Sequence, residues 1–254
     1  MIFNTHSHIN DKLDNLKELV DECIENNVDL IGVVGYDYDS SLRAIQASLQ
    51  SDNVYAIVGL QPNEVSSFDG NYDKFIELFN HEKCIGIGEI GLDYYWNKEE
   101  KDIQIKAFEN QLMIASNYKK PIEIHCRDAH EDTFNLLEKY HKQLDGIIMH
   151  CYSGSVEMMK RFLTINCYIS ISGVVTFKNA KVIKDVAKEI PVDKLLVETD
   201  DPYLTPVPFR GKENRPSYVK YVLQEIANIK EMNYEELEKI VYENSKKVFH
   251  LWKK

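Results

Sequence analysis

Two histidines, His6 and His8, stand two positions apart directly after a short apolar run at the start of the chain. In an extended strand the side chains at i and i+2 point to the same side, so the two imidazoles form a pincer at a strand end. Such a pair suits a divalent metal ion. Further residues able to bind metal end or follow other apolar runs: Glu89, His125, His150 and Asp200. The sequence therefore predicts one metal centre assembled from distant segments.

Taken singly, each of these residues has a structural explanation, such as a hydrogen-bonded core histidine, an arginine-paired carboxylate or a turn cap. Together, buried imidazoles and carboxylates would lack partners unless a metal ion is present. Their number exceeds what one tetrahedral zinc ion needs and suits two cations. We predict two groups of ligands bridged by Glu89: His6, His8 and Asp200 for one ion, His125 and His150 for the other.

The predicted chemistry is hydrolysis by a water molecule that two cations activate. Two ions about 3.5–4 Å apart lower the pKa of a bound water and clamp the attacked group. Asp200, beside that water, would orient it or take its proton. Together with Glu89, the bridge between the two ions, it is a predicted catalytic residue. We expect Zn²⁺, Mn²⁺ or Mg²⁺, and the mixed imidazole and carboxylate ligands favour the first two over Mg²⁺.

Composition limits the classes of function. A formal net charge of −11 disfavours a protein that coats duplex DNA through many phosphate contacts, but allows an enzyme that grips one or two phosphates. The 5 cysteines are odd in number and include no C-x-x-C pair, which argues against a disulfide framework. With no signal-like segment and no apolar run of membrane-spanning length, we expect a cytoplasmic protein without a membrane partner. We also expect a monomer.

The elements that position these residues alternate between two patterns. Short apolar runs rich in Ile and Val predict buried parallel strands at residues 2–5, 30–35, 54–59, 84–89, 121–126, 146–150, 167–172 and 194–199. Segments between them carry apolar residues at helical spacing, and two helical patterns follow the eighth strand, near Pro216 and Tyr234. Eight such units in 254 residues predict an α/β fold, a single-domain (β/α)8 TIM barrel spanning residues 1–254 with an extra C-terminal helix.

A doubly wound open sheet is the competing fold. It would leave strand ends from opposite parts of the chain far apart, whereas a barrel gathers all eight ends at one mouth. The predicted ligands come from strands spread over the whole chain, which favours the barrel.

These residues lie in stretches that resemble the TatD family of metal-dependent deoxyribonucleases, within the amidohydrolase superfamily. The matching stretches span nearly the whole chain in order: Asn4-Thr5-His6-Ser7-His8, Gly86 to Tyr94, His125-Cys126-Arg127, His150 to Gly154, Glu198-Thr199-Asp200, Asp201 to Leu204, and Arg210-Gly211-Lys212 with Asn214 and Pro216. The resemblance implies the barrel, the same six metal ligands and a Mg-, Mn- or Zn-dependent phosphodiesterase. It further implies a 3′-5′ exonuclease acting on DNA, preferably single-stranded, although some members act on other substrates, including misacylated tRNA.

One position departs from the family. The loop after the third strand reads Gly59-Leu60-Gln61-Pro62-Asn63, where the family commonly has histidine before the proline. Gln61 keeps a hydrogen-bond donor but cannot exchange protons near neutral pH. A role in protonating a leaving group would then be weakened, whereas a role in holding phosphate or water would survive.

Several residues near the predicted mouth are candidates for holding a substrate. Arginine there could grip phosphate oxygens and aromatic rings could stack on unpaired bases. The competing explanations are salt bridges within the loops and packing against the rim. The candidates are Gln61, Arg127, Tyr152, Tyr203, Arg210 and Lys212, with Tyr95 and Trp96 more easily explained by packing.

The leading hypothesis is a metal-dependent hydrolase that cleaves phosphodiester bonds at single-stranded DNA ends. A second enzymatic hypothesis keeps the metal centre and changes the bond to an amide or ester of a small molecule or an aminoacyl-tRNA. A third, from another class, is a non-catalytic metal-binding scaffold. A structural zinc site would be closed and four-coordinate, usually with cysteine, and the predicted ligands do not fit that description.

Overall fold

Eight parallel strands form one sheet in the order of the chain. The structure is a computed structural model and describes residues 1–96 and 99–251. Its strands are β1 (Ile2–Ser7), β2 (Val28–Val34), β3 (Val54–Val58), β4 (Cys84–Asp93), β5 (Ile122–Arg127), β6 (Ile147–Met149), β7 (Tyr168–Ile171) and β8 (Leu195–Val197). The predicted (β/α)8 barrel with an extra C-terminal helix is confirmed, and the open-sheet alternative is wrong because the first and last strands also meet.

The seam between β1 and β8 is closed mainly by side chains and by the segment that follows β8. The Asn4 amide donates to Thr199 Oγ1 at 2.8 Å and its carbonyl accepts the Thr199 N–H at 2.9 Å. Beyond β8, the Asp200 N–H donates to the His6 carbonyl at 3.1 Å. A parallel bridge between Ser7 and Asp201 completes the ring at its upper rim. This seam brings Asp200 directly beside His6.

Helices cover the outside of the sheet in the described residues. They are α1 (Leu16–Glu25), α2 (Tyr38–Gln50), α3 (Asp73–Phe79), α4 (Lys101–Ala115), α5 (His130–Tyr140), α6 (Val156–Thr164), α7 (Lys181–Glu189), α8 (Val219–Lys230) and α9 (Tyr234–Val248). Side-chain caps start three of them, with Asp37, Ser155 and Asn233 accepting backbone N–H groups of α2, α6 and α9. None of these helices combines the length and apolar character needed to cross a membrane.

Two apolar clusters make up the core. The larger one joins the outer faces of the strands to the helices. The smaller one lies inside the barrel near the strand starts and includes Phe3, Ile85 and Tyr168. Phe249, just after α9, packs on Phe3 with ring centres 5.3 Å apart. The extra C-terminal helix therefore closes the bottom of the barrel, and the opposite end stays free for a site.

Strand β4 is longer than the sequence predicts and carries an irregularity. The apolar run ends at Glu89, but the strand continues to Asp93. In its pairing with β5, Ile87 faces Ile122 and Ile90 faces Ile124, so three steps on β4 match two on β5. Such a bulge changes the direction of a side chain. Glu89 therefore points to the barrel mouth from inside a strand rather than from its end.

Candidate metal centre and active site

The upper end of the barrel brings the predicted metal ligands together. They come from five strands or the segments that directly follow them. His6 and His8 lie at the end of β1, Glu89 at the bulge of β4, and His125 in β5. His150 directly follows β6 and Asp200 follows β8. All except His8, His125 and Asp200 are fully buried, and those three are half-buried.

The first group of donors surrounds one point beside the β1–β8 seam. His6 Nε2 lies 3.0 Å from His8 Nε2 and 3.8 Å from Asp200 Oδ1. His8 Nε2 lies 3.7 Å from the same Asp200 oxygen. Ligands about 2.1 Å from one cation are separated by roughly these distances. His6, His8 and Asp200 therefore have the spacing of ligands to a single ion.

The second group lies next to the first and shares Glu89 with it. Glu89 Oε1 is 2.5 Å from His125 Nδ1 and 3.0 Å from His150 Nε2. The other oxygen, Oε2, is 3.8 Å from His8 Nε2 and 4.0 Å from His6 Nε2. One carboxylate thus faces both groups, which is the position that a bridging ligand needs.

The outer nitrogen of every imidazole in the centre has an oxygen partner. His6 Nδ1 lies 3.0 Å from Glu123 Oε1, and His8 Nδ1 lies 3.0 Å from the Val34 carbonyl. His150 Nδ1 lies 3.2 Å from Glu198 Oε1, and His125 Nε2 lies 2.9 Å from Asp93 Oδ2. Such partners fix the tautomer and leave the inner nitrogen free to bind a cation. This arrangement of donors fits divalent metal ions at both groups.

The pKa values of the centre reflect its burial and its crowding. Burial lowers the pKa of His6 well below its usual value, and the neighbouring His150 adds to this, so its ring is neutral. Burial would also lower the pKa of His125, but the carboxylates of Glu89 and Asp93 raise it to about 9. Burial raises the pKa of Asp200 to about 6. Because cations must displace protons from such groups, metal affinity should fall as the pH falls.

Glu123 is fully buried beneath the centre and holds the outer nitrogen of His6. Glu123→Ala leaves the His6 ring free to rotate, so we expect metal affinity about 10–100-fold weaker. Glu123→Gln keeps an oxygen for His6 Nδ1 and should lose less. Titration of the metal-free protein with Zn²⁺ or Mn²⁺ in a calorimeter measures both. Equal affinity for wild type and Glu123→Ala would show that the contact does not orient His6.

The segment after β8 that carries Asp200 is held by Asn214, which is fully buried. Its side-chain amide donates to the carbonyls of Thr199 at 3.0 Å and Tyr203 at 2.6 Å. Its backbone N–H donates to the Pro202 carbonyl at 3.1 Å. One side chain therefore fixes both ends of the turn on which Asp200 sits.

A second prediction follows for this turn. Asn214→Ala leaves buried carbonyl oxygens without donors, which should lower the free energy of unfolding by about 2 kcal/mol. Asn228→Ala, at an exposed position of α8, is the matched control and should change it by less than about 0.5 kcal/mol. Urea unfolding of the three proteins makes the comparison. Equal stability of the two variants would contradict the structural role given to Asn214.

A cavity of about 880 Å³ opens above the centre. Four of the predicted substrate residues line it, namely Gln61, Arg127, Tyr152 and Tyr203. Tyr152, however, is only 5% exposed, and its ring packs against His130 and Phe162. The structure therefore leaves little of the Tyr152 ring for stacking on a base.

The structure does not bring Arg210 and Lys212 to the cavity wall in the part of the chain that it describes. The Arg210 guanidinium lies over the Phe177 ring, 3.6 Å from its centre, and Lys212 Nζ lies 5.7 Å from the centre of Phe209. Both side chains are exposed in the loop after β8. This placement therefore does not support contact of Arg210 or Lys212 with the reacting end of a substrate.

Sequence reasoning missed two buried carboxylates and one side of the cavity. Glu123 and Glu198 each stand two positions before a predicted ligand, and a charged residue inside an apolar strand was the available signal. Asn63, Asn179 and Lys181 also line the cavity. Nothing in the sequence around Asn179 or Lys181 indicates that the loop after β7 reaches the mouth.

Comparison with known proteins finds metal-dependent hydrolases similar to this chain over its whole length. The family model described as "TatD related DNase" matches residues 3–250. A Bacillus subtilis (strain 168) protein named as an uncharacterized metal-dependent hydrolase, YabD, is 45% identical over 254 residues, covering 99% of this chain and 100% of its own. The similarly named YcfH of Escherichia coli (strain K12) is 38% identical over 203 residues, covering 80% and 76%.

Solved structures share the fold. The structure of YjjV, a TatD homologue from Escherichia coli K12, superimposes with a TM-score of 0.91 at 23% identity and covers 98% of both chains. A TatD family hydrolase from Entamoeba histolytica gives a TM-score of 0.84 at 20% identity, covering 97% of both. The match of the family model over nearly the whole chain, with metal-dependent hydrolases as relatives, shows that the chain belongs to the TatD family and is a metal-dependent hydrolase.

Proposed function

We propose that this hydrolase is a deoxyribonuclease that cleaves phosphodiester bonds at single-stranded DNA ends, as a 3′-5′ exonuclease. The observation that carries the proposal is the placement of both donor groups under a cavity whose wall holds Arg127 and exposed aromatic rings. A guanidinium beside the centre suits a phosphate, and a neutral amide substrate does not need it. The family model's description as a DNase supports the same substrate class.

The metal ligands are part of this proposal. His6, His8 and Asp200 would hold one divalent cation and His125 and His150 the other, with Glu89 between them. Zn²⁺, Mn²⁺ or Mg²⁺ bound there would lower the pKa of water and neutralise charge on the attacked phosphate.

The chain's own residues have distinct tasks in the proposed reaction. Asp200, with its pKa raised to about 6 by burial, takes the proton of the attacking water. The Arg127 guanidinium binds a phosphate oxygen and holds the strand in place. Gln61, at the cavity wall, donates a hydrogen bond to a phosphate oxygen or a water and transfers no proton. We therefore assign Gln61 to positioning.

The test is incubation of 5′-labelled and 3′-labelled single strands with Mn²⁺, Mg²⁺ or Zn²⁺, with chelated protein as the control. We expect metal-dependent shortening from the 3′ end and slower digestion of a blunt duplex. Absence of cleavage with every metal would refute the deoxyribonuclease, and shortening from the 5′ end would refute the polarity alone.

One observation favours the second enzymatic hypothesis, an acyl substrate. Part of the cavity wall is apolar: Val174, Ala180, Val182 and Ile183 follow β7, and Leu204 follows β8. Such a wall suits the side chain of an aminoacyl ester or an apolar amide. Assaying an aminoacyl-tRNA and an N-acyl amino acid beside the labelled DNA separates the two. Faster turnover of either acyl compound would replace the proposal.

A further inference from the structure

The loop after β4 presents two large aromatic rings at the mouth of the barrel. Tyr95 is 53% exposed and Trp96 is 58% exposed, and Trp96 lines the cavity above the centre. The two rings are perpendicular, with an interplanar angle of 86° and centres 5.2 Å apart. Packing against the rim would bury them, so their exposure requires a different explanation. A flat apolar face open to a cavity is suited to stacking on another ring.

Arg127 joins these rings into one surface. Its guanidinium lies 3.9 Å from the centre of the Tyr95 ring and 5.6 Å from that of Trp96. Stacking on an aromatic face restrains the guanidinium and leaves the N–H groups at its edge free to bind an anion. We call Tyr95, Trp96 and Arg127 the mouth platform. It offers an aromatic face and a cation side by side.

The mouth platform is tied to the metal centre through Asp93, whose side chain is fully buried. Asp93 Oδ1 accepts the backbone N–H groups of Tyr95 at 2.9 Å and Trp96 at 3.0 Å. Its other oxygen, Oδ2, lies 2.9 Å from His125 Nε2. One carboxylate therefore positions both a metal-binding imidazole and the loop that carries the rings.

Further contacts hold the same loop. The Gln104 side chain bonds both the N–H of Asp93, at 2.8 Å, and its carbonyl, at 2.9 Å. The Tyr94 N–H donates to the Arg127 carbonyl at 2.9 Å, which joins the two segments that make up the platform. The mouth platform thus stands at a set position relative to the centre before any substrate arrives, which lowers the cost of ordering on binding.

We propose that the mouth platform is a nucleotide subsite, in which an unpaired base stacks on Trp96 while Arg127 binds the phosphate attached to that nucleotide. The inference rests on the proposed deoxyribonuclease and names how it selects single strands. A base can stack on Trp96 only when it has left the duplex stack. A nucleotide combines a flat base with an anionic phosphate. The mouth platform offers a partner for each, the Trp96 ring for the base and the Arg127 guanidinium for the phosphate. The overall charge of −11 makes such a local cation necessary for holding a polyanion.

Binding to the metal-free protein tests the subsite without interference from cleavage. With chelator present, the affinity for a labelled oligothymidylate is compared with that for a base-free strand of the same length. Stacking of one base is worth about 1–3 kcal/mol, so Trp96→Ala should weaken binding of oligothymidylate about 5–150-fold. The base-free strand should bind wild type and Trp96→Ala equally. Arg127→Ala should weaken binding of both strands, because its partner is phosphate.

Fluorescence gives a second measurement of the same contact. The chain has 2 tryptophans, and Trp252 lies outside the described residues. In a Trp252→Phe protein the signal comes from Trp96 alone. We expect quenching by single-stranded oligothymidylate, and none by the base-free strand or a blunt duplex. Leu49→Ala, which truncates a 63% exposed apolar side chain on α2, is the matched control for binding.

The outcomes separate this inference from the proposed function. If wild type cleaves single-stranded DNA and Trp96→Ala binds it unchanged, the subsite is wrong and the deoxyribonuclease stands. If Trp96→Ala weakens both strands equally, Trp96 supports the loop and does not stack on a base. If wild type neither binds nor cleaves DNA, the proposed function fails and the subsite fails with it.

Discussion

Replacement of Glu89 by alanine should abolish hydrolysis and reduce metal content together. The Glu89 side chain is buried and its two oxygens face different groups of donors, Oε1 the pair His125 and His150 and Oε2 the pair His6 and His8. No other carboxylate among the described residues comes as close to both groups. Its loss leaves each group one ligand short and removes the nearest carboxylate of His125 and His150. The neighbouring His150 and His125 outweigh the effect of burial and hold the pKa of Glu89 well below its usual value, so it is charged.

We expect activity to fall by about 10³-fold or more, since cation stabilisation of the transition state of hydrolysis is worth several kcal/mol. Metal analysis of the purified protein should show fewer than the two ions per chain expected for wild type. Glu131→Ala removes an exposed carboxylate paired with Arg161 on the outside of the barrel and serves as the control for both measurements. Full metal content in Glu89→Ala, with activity retained, would refute the bridging position.

The fold was predictable because its main signal is local. Each strand of the barrel is a short run of Ile, Val and similar residues. Because the strands are buried on both faces, each one can be recognised from its own apolar run without knowing its neighbours in the sheet. The Val54–Val58 strand and the run predicted at 54–59 differ by one residue. Strand β4 is the exception, because its end depends on pairing with β5 and on the bulge at Glu89, neither of which is visible in the apolar pattern.

The candidate site was predictable where chemistry and strand position coincide. In a (β/α)8 barrel the C-terminal ends of all eight strands lie at one face, so histidines and carboxylates at strand ends are expected to come together there. Loop residues follow no such rule, so the sequence predicts Arg210 beside Arg127 at the mouth, although the two lie apart in the structure. A supporting residue such as Glu123 can be recognised only from the ligand that it contacts. For Glu123 that ligand is His6, and their contact is visible only in three dimensions.

The close approach of β4 and β5 at the centre makes Gly91 the most sensitive glycine near the site. Gly91 pairs with His125 and has a φ of +145°, a conformation that residues with a Cβ rarely adopt. A Cβ there would meet the backbone carbonyl oxygen of His125 well inside van der Waals contact, and backbone cannot move aside as a flexible side chain can. Gly91→Ala would therefore separate the strands at His125, a proposed ligand of the second ion.

We expect Gly91→Ala to lower the free energy of unfolding by about 3–5 kcal/mol, at the upper end for single substitutions, and to displace His125 from Glu89. Gly70→Ala is the matched control, because Gly70 also has a positive φ of +80° but nothing lies within 4 Å of the added carbon. That variant bears only the conformational strain, about 1–2 kcal/mol. Urea unfolding and zinc titration of both variants separate strain from steric conflict. If the two lose equal stability, the contact between the strands is looser than described; if Gly91→Ala alone loses zinc affinity, the packing of Gly91 against His125 is what sets the geometry of the second group.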